Sequence, residues 1–75
     1  MTKVRDFASE RRFLDRVASE LHNSRIAHDY DGITEAVDDL EVIQMHTDFP
    51  VIRSRATKLI SQAYDPLPKR YHPNA

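Results

Sequence analysis

The segment that decides the fold runs from residue 28 to residue 49 and reads HDYDGITEAVDDLEVIQMHTDF. Its apolar residues recur every three or four positions, which is the period of an amphipathic α-helix. Asp29 or Asp31 can cap such a helix by accepting hydrogen bonds from the free N–H groups of its first turn. The segment therefore predicts a helix over about residues 31–47. Its core face comprises Ile33, Ala36, Val37, Leu40 and Ile43.

Helical spacing continues on both sides of this segment. Before it, an apolar face predicts a helix over about residues 5–23. After it, Pro50 suits the first turn of a helix that we expect to reach residue 64. The apolar residues are Phe7, Phe13, Leu14, Val17, Ala18 and Leu21 in the first helix, and Ile52, Ala56, Leu59, Ile60 and Ala63 in the last. The sequence predicts an all-α fold, a small three-helix bundle over residues 1–64.

The segment that follows, residues 65–75, reads DPLPKRYHPNA. It holds three prolines, and proline cannot continue a helix. We expect a proline-containing, extended C-terminal tail in which Leu67 or Tyr71 contacts the bundle or a partner.

The chain has 75 residues and no cysteine. A single core of this size contributes a net stability of only about 3–5 kcal/mol, and small domains often add a partner chain. The missing cysteines exclude disulfides and suit a reducing cytoplasm, where we expect the protein. No apolar stretch approaches the roughly 20 residues of a membrane span. We therefore expect no membrane association and treat a homodimer as an open possibility.

The central segment carries seven carboxylates and no Lys or Arg, which raises the question of a metal site. In an EF-hand loop with Gly32 at position 6, the first ligand position falls on Ala27, whose side chain cannot bind calcium. The last position falls on Asp38 instead of the usual bidentate Glu. The four histidines lack the i, i+4 spacing of a helical zinc site. The sequence predicts no metal and no cofactor.

The outer face of the central helix combines acidic and apolar side chains. Val42 and Met45 lie in the same arc as three carboxylates, opposite the core face. Apolar anchors inside a polar rim are typical of protein interfaces, so this face predicts a protein-binding surface. Two other interpretations are a solvated helix whose acids pair with basic neighbours, and burial of Val42 in an enlarged core. The residues of the predicted surface are Asp31, Glu35, Asp38, Val42 and Met45.

Basic side chains lie on the two flanking helices. A stripe opposite the core face of the first helix is a second candidate for protein binding. With basic residues of the last helix, it also forms a candidate surface for nucleic acid. A formal net charge of −1 argues against that use, because affinity for nucleic acid depends on excess positive charge. The stripe is Arg5, Arg12 and Arg16, and the basic residues of the last helix are Arg53, Arg55 and Lys58.

Catalysis has little support in the sequence. A nucleophile needs a base within hydrogen-bonding reach, and a small helical bundle provides little concave volume. We expect Glu10, at the core edge of the first helix, to pair with an arginine. The sequence predicts a non-enzymatic binding module (an adaptor, inhibitor or regulatory subunit) that binds another protein or a second copy of itself. Nucleic-acid binding and acidic mimicry of DNA are the alternatives.

Overall fold

A computed structural model of the chain describes residues 6–67. Three α-helices follow one another in this part of the chain: α1 (Phe7–Ala27), α2 (Tyr30–His46) and α3 (Pro50–Ala63). The middle helix packs extensively against both others, whereas α1 and α3 touch each other less. The predicted all-α three-helix bundle is confirmed. Within the described residues, no helix combines the length and the apolar character needed to cross a membrane.

The core forms where the apolar faces of the three helices meet. Leu40 of the middle helix is fully buried, and so is Ala56 of α3, whose small side chain lets the helices approach closely. All buried apolar residues belong to the faces predicted from the sequence. Full burial of a side chain such as Leu contributes about 1.5–3 kcal/mol. The buried set is Leu14, Val17, Leu21, Ile33, Ala36, Val37, Leu40, Ile43, Ile52, Ala56 and Ala63.

The start of α1 is set by Asp6. Its carboxylate accepts a hydrogen bond from the backbone N–H of Ser9 at 2.7 Å, which satisfies a donor that the helix itself cannot. The same hydrogen bond lowers the pKa of Asp6 from its usual value. Arg5, predicted as the first residue of this helix, lies outside the described residues.

The end of α1 lies one turn beyond the predicted end near residue 23. His28 closes the helix in the left-handed conformation, with φ 56° and ψ 37°. Its N–H donates to the carbonyl of Arg25 at 3.1 Å, and the N–H of Asp29 donates to that of Ser24 at 2.8 Å. This pair of bonds is the Schellman arrangement. Glycine or asparagine usually holds the left-handed position, so the sequence carried no clear signal for this helix end.

The start of α2 lies close to the end of α1. Asp29 caps α2 by accepting a hydrogen bond from the N–H of Gly32 at 3.1 Å. A Cβ atom at Gly32 would overlap the hydroxyl of Ser24 in α1 and lie 2.7 Å from the Asp29 carboxylate. Any larger residue at this position would therefore require the Ser24 and Asp29 side chains to move. Helix α2 already begins at Tyr30, inside the segment that a calcium loop would occupy.

Phe7 lies at the edge of the bundle and not in the core where the sequence placed it. Its side chain is 39% exposed, and its ring meets that of Phe49 edge-on, with 5.4 Å between the ring centroids. Phe49 stands directly before α3 and packs against the core. Such an aromatic pair contributes about 0.5–1.5 kcal/mol beyond the area that it buries. The pair fastens the beginning of α1 to the turn between α2 and α3.

An arginine of α3 closes the C-terminal end of α2. The guanidinium of Arg53 donates to the carbonyl of Thr47 at 2.6 Å and, more weakly, to that of Gln44 at 3.4 Å. The last carbonyl groups of a helix lack partners within it and form the negative end of the helix dipole. A guanidinium provides both hydrogen-bond donors and a positive charge, so Arg53 binds the backbone at the end of α2 and not one of the acidic side chains of that helix.

An arginine of α1 closes the end of α3 in the same way. The Nη1 group of Arg25 donates to the carbonyls of Gln62 at 2.9 Å, Ala63 at 2.8 Å and Asp65 at 3.0 Å. Its Nη2 group donates to the carbonyl of Pro66 at 3.1 Å. These four hydrogen bonds attach the last residues of α3 and the segment that follows it to the end of α1.

The structure describes the predicted tail as far as residue 67. Leu67 packs against the core cluster, as expected from the sequence. The other residue expected to attach the tail, Tyr71, lies outside the described residues.

Replacement of Arg25 by Ala is expected to lower the free energy of unfolding by about 1–3 kcal/mol, because charge-assisted hydrogen bonds to the carbonyls around the end of α3 are lost. Urea unfolding followed by circular dichroism measures the change. Arg11→Ala is the matched control, because Arg11 forms only an exposed pair with Asp15, worth about 0–1 kcal/mol. Equal effects of the two substitutions would contradict the capping role.

Candidate functional site

Five exposed side chains form a row along α2 on the side away from the core. Consecutive members lie alternately four and three residues apart, so they are neighbours on the helix surface. We call this set the outer row of α2. It comprises Asp31, Glu35, Asp38, Val42 and Met45, the surface predicted from the sequence.

The apolar members of the outer row of α2 are open to solvent. Val42 is 52% exposed and Met45 is 74% exposed. Burial of Val42 in an enlarged core, one of the interpretations left open by the sequence, is therefore wrong. A single exposed apolar side chain is ordinary on a protein surface. Here two of them adjoin on one helix face and share it with carboxylates.

The carboxylates of α2 have no ion-pair partner among residues 6–67. The helix itself contains five carboxylates and no Lys or Arg. The ion pair within the described residues joins Arg11 to Asp15 inside α1, at 3.3 Å. The pairing of α2 with basic neighbours, expected for a merely solvated helix, is thus not found there. Like charges one turn apart are mutually unfavourable by a few tenths of a kcal/mol, so a basic partner would relieve this repulsion.

The arginine stripe of α1 is only partly described. Arg5 lies outside the described residues, while Arg12 and Arg16 are exposed. The guanidinium of Arg16 lies over the ring of Phe13, 5.1 Å from its centroid, and that of Arg12 is 3.5 Å from the hydroxyl of Ser9. Neither contacts the outer row of α2. The two arginines therefore form a separate surface on another helix.

The basic residues of α3 divide into two groups. Arg53 binds the carbonyl groups at the end of α2, and the neighbouring Thr57 accepts a hydrogen bond from the side-chain amide of Gln44 at 2.6 Å. Arg55 and Lys58 remain exposed, and no side-chain partner is found for them among residues 6–67. The two groups point to different sides of the helix, which argues against one continuous surface for reading nucleic acid.

The exposed basic residues of α3 belong to a second exposed row of side chains. Val51, 68% exposed, lies on the same face of α3 as the two free bases. Sequence reasoning missed this row because it grouped the bases by charge and left out Val51. Two features of the sequence could have revealed this row. Helix α3 contains three basic residues and no acidic one, and an apolar residue lies four positions before Arg55. We call the set Val51, Arg55, Lys58 and Gln62 the outer row of α3.

An open groove of about 380 Å³ lies between α1 and α3. Ser19 and His22 face it, but no hydrogen bond joins them, and Asp15 is paired with Arg11. In the part of the chain that the structure describes, no three His, Asp or Glu side chains are grouped so as to hold a metal ion. The groove thus lacks an assembled nucleophile and base. Its lining residues are Asp15, Ala18, Ser19, His22, Asn23 and Arg55.

The buried carboxylate of the described region belongs to Glu10, which is 8% exposed. The hydroxyl of Thr47 donates to it at 2.5 Å and itself accepts a hydrogen bond from the N–H of Phe49 at 3.2 Å. The expectation that Glu10 pairs with an arginine is therefore wrong. Its hydrogen bond joins the first turn of α1 to the turn between α2 and α3, which is a structural role.

Comparison of the chain with protein-family models, curated proteins and solved structures gave no match. The described residues define the class by themselves: an all-α three-helix bundle with exposed rows of opposite charge on α2 and α3.

Substitution of Thr47 by Val is expected to lower the free energy of unfolding by about 1–3 kcal/mol. Val has nearly the shape of Thr but no hydroxyl, so the Glu10 carboxylate stays buried and loses its hydrogen-bond donor. Thr47→Ser is the control, since it keeps the hydroxyl and should cost less. Chemical denaturation of both variants measures the difference. A Val variant as stable as the Ser variant would show that the hydrogen bond contributes nothing.

Proposed function

We propose that the protein is a non-enzymatic binding module that docks on another protein through the outer row of α2. One observation supports this most: Val42 and Met45 are exposed beside three carboxylates that lack ion-pair partners among residues 6–67. Removal of apolar surface from water favours association, and unpaired carboxylates favour a partner with Lys or Arg. An adaptor, an inhibitor or a regulatory subunit in the cytoplasm fits this description.

The two kinds of side chain have different roles in this proposal. Burial of an exposed Val or Met side chain contributes at most about 1.5–3 kcal/mol, so Val42 and Met45 would provide most of the affinity. Carboxylates at the rim of an interface act more on the rate of association and on the choice of partner. The partner surface should therefore offer an apolar contact bordered by basic side chains. Methionine, being flexible, adapts to such a surface.

Nucleic-acid binding is the alternative proposal, supported by the exposure of Arg12, Arg16, Arg55 and Lys58. The engagement of Arg53 with the end of α2 and the formal net charge of −1 weaken it. Salt-dependent retention of the protein on DNA or heparin would favour this alternative. Mimicry of DNA by the acids of α2 is a special case of the main proposal, with a nucleic-acid-binding protein as the partner.

Replacement of Val42 and Met45 together by Asp is expected to abolish partner binding without unfolding the bundle, because both side chains are exposed. Circular dichroism should show unchanged helicity. To detect contact with a partner, Glu41, which adjoins the outer row of α2, is replaced by a photo-cross-linking amino acid. The cross-linking is performed in cells that produce the protein. Mass spectrometry then identifies the cross-linked partner. The double variant should lose this adduct.

The controls for this experiment lie on α1. A cross-linker at Glu20, which is exposed on α1, should not yield the same adduct. Ile26→Asp is the matched variant, because Ile26 is an exposed apolar residue comparable to Val42. It should leave the adduct at Glu41 intact. Persistence of the adduct in the Val42 and Met45 double variant would contradict the proposal.

A further inference from the structure

The outer rows of α2 and α3 have the same spacing and opposite charge. From Val42 towards the N-terminus, the acidic members of α2 follow at steps of four, three and four residues. From Val51 towards the C-terminus, the members of the α3 row follow at the same steps. The two series are Val42, Asp38, Glu35 and Asp31 in α2, and Val51, Arg55, Lys58 and Gln62 in α3.

We propose that the outer row of α2 docks antiparallel against the outer row of α3 of a second copy of this chain. The inference rests on the proposed function, because it uses the same face of α2 and names its partner. An antiparallel arrangement places apolar residue on apolar residue and acid on base, whereas a parallel one places an apolar residue against a charge. The facing pairs are Val42 with Val51, Asp38 with Arg55, Glu35 with Lys58, and Asp31 with Gln62.

Both rows are available for this contact. Val42 and Val51 are exposed, and the side chains of Arg55 and Lys58 have no partner among residues 6–67. The inward face of α2 packs on α3 of its own chain, so the outward face can contact an outer row of α3 only in another molecule. The remaining base of α3, Arg53, binds the carbonyls of α2 and takes no part.

The geometry of helix packing suits the arrangement. Rows of side chains at alternating steps of four and three residues are those by which two helices pack side by side. The contact joins two different surfaces, so it is heterologous and closes only if the rotation between copies allows it. One helix pair buries less than the roughly 1,200–2,000 Å² of a standard interface, so the association should be weak. Screening by salt should weaken it further.

Charge reversal tests the pairing. Glu35→Lys with Asp38→Lys makes both rows basic, and Arg55→Glu with Lys58→Glu makes both rows acidic. Each double variant is expected to weaken self-association by at least about tenfold, because like charges then face each other. The variant with all four substitutions should recover it, and so should a mixture of the two double variants. Sedimentation velocity at increasing protein concentration measures the assembly.

A second measurement keeps the inference testable if a variant does not fold. On dilution of the unmodified protein, NMR signals of both outer rows should shift together, while those of Arg12 and Arg16 on α1 stay constant. A protein that stays monomeric at its highest soluble concentration overturns the inference, as does failure of the four-substitution variant to reassociate.

The two proposals fail in different ways. If the protein stays monomeric but its cross-link at Glu41 to another protein depends on Val42 and Met45, the second copy is the wrong partner and the binding face of α2 stands. If neither assembly nor a cross-linked partner is found, both proposals fall.

Discussion

Guanidinium groups bound to helix-terminal carbonyls determine how the charges of this protein are distributed. Arg53 donates to the last carbonyls of α2, and Arg25 donates to those at the end of α3. Carbonyl groups at a helix end must find donors, and a guanidinium offers several in one plane. Because these two arginines bind backbone, they are not available to the carboxylates of α2. The other arginine and lysine side chains among residues 6–67 form no ion pair with α2 either, so the carboxylates of the middle helix are left without an ion-pair partner there.

Contacts at the two ends of α2 fix which of its faces points outward. At one end of the bundle, Thr47 bonds to Glu10 while Phe49 packs on Phe7, so the turn after α2 is held against α1. At the other end, the Ser24 hydroxyl of α1 and the Asp29 carboxylate occupy the space that a Cβ atom at Gly32 would need. With both ends held and its apolar face in the core, α2 has little freedom to rotate. The outer row of α2 therefore keeps a fixed orientation towards solvent, as docking on a partner requires.

Hydrophobic periodicity was sufficient to predict the helices and the core, because both depend on the position of a side chain around one helix. It placed Val42 and Met45 opposite the core face but left burial of Val42 open, and the structure excludes that burial. The contacts between elements were not predictable in this way. Glu10 and Thr47 are 37 residues apart, and the capping arginines bind backbone oxygens, which no residue pattern reveals. The helix end at His28 was missed because residues other than glycine seldom adopt the left-handed conformation.

The arginine side chains give the most direct test of this account. Nitrogen-15 NMR should find the guanidinium protons of Arg25 and Arg53 protected from exchange with water, and their contacts running to backbone carbonyls. The guanidinium protons of Arg12 and Arg55, which are exposed, should exchange rapidly. If all four arginines behaved alike, or if Arg53 were bound to a carboxylate of α2, the charge distribution described here would be wrong, and the outer row of α2 would lose its basis as a binding face.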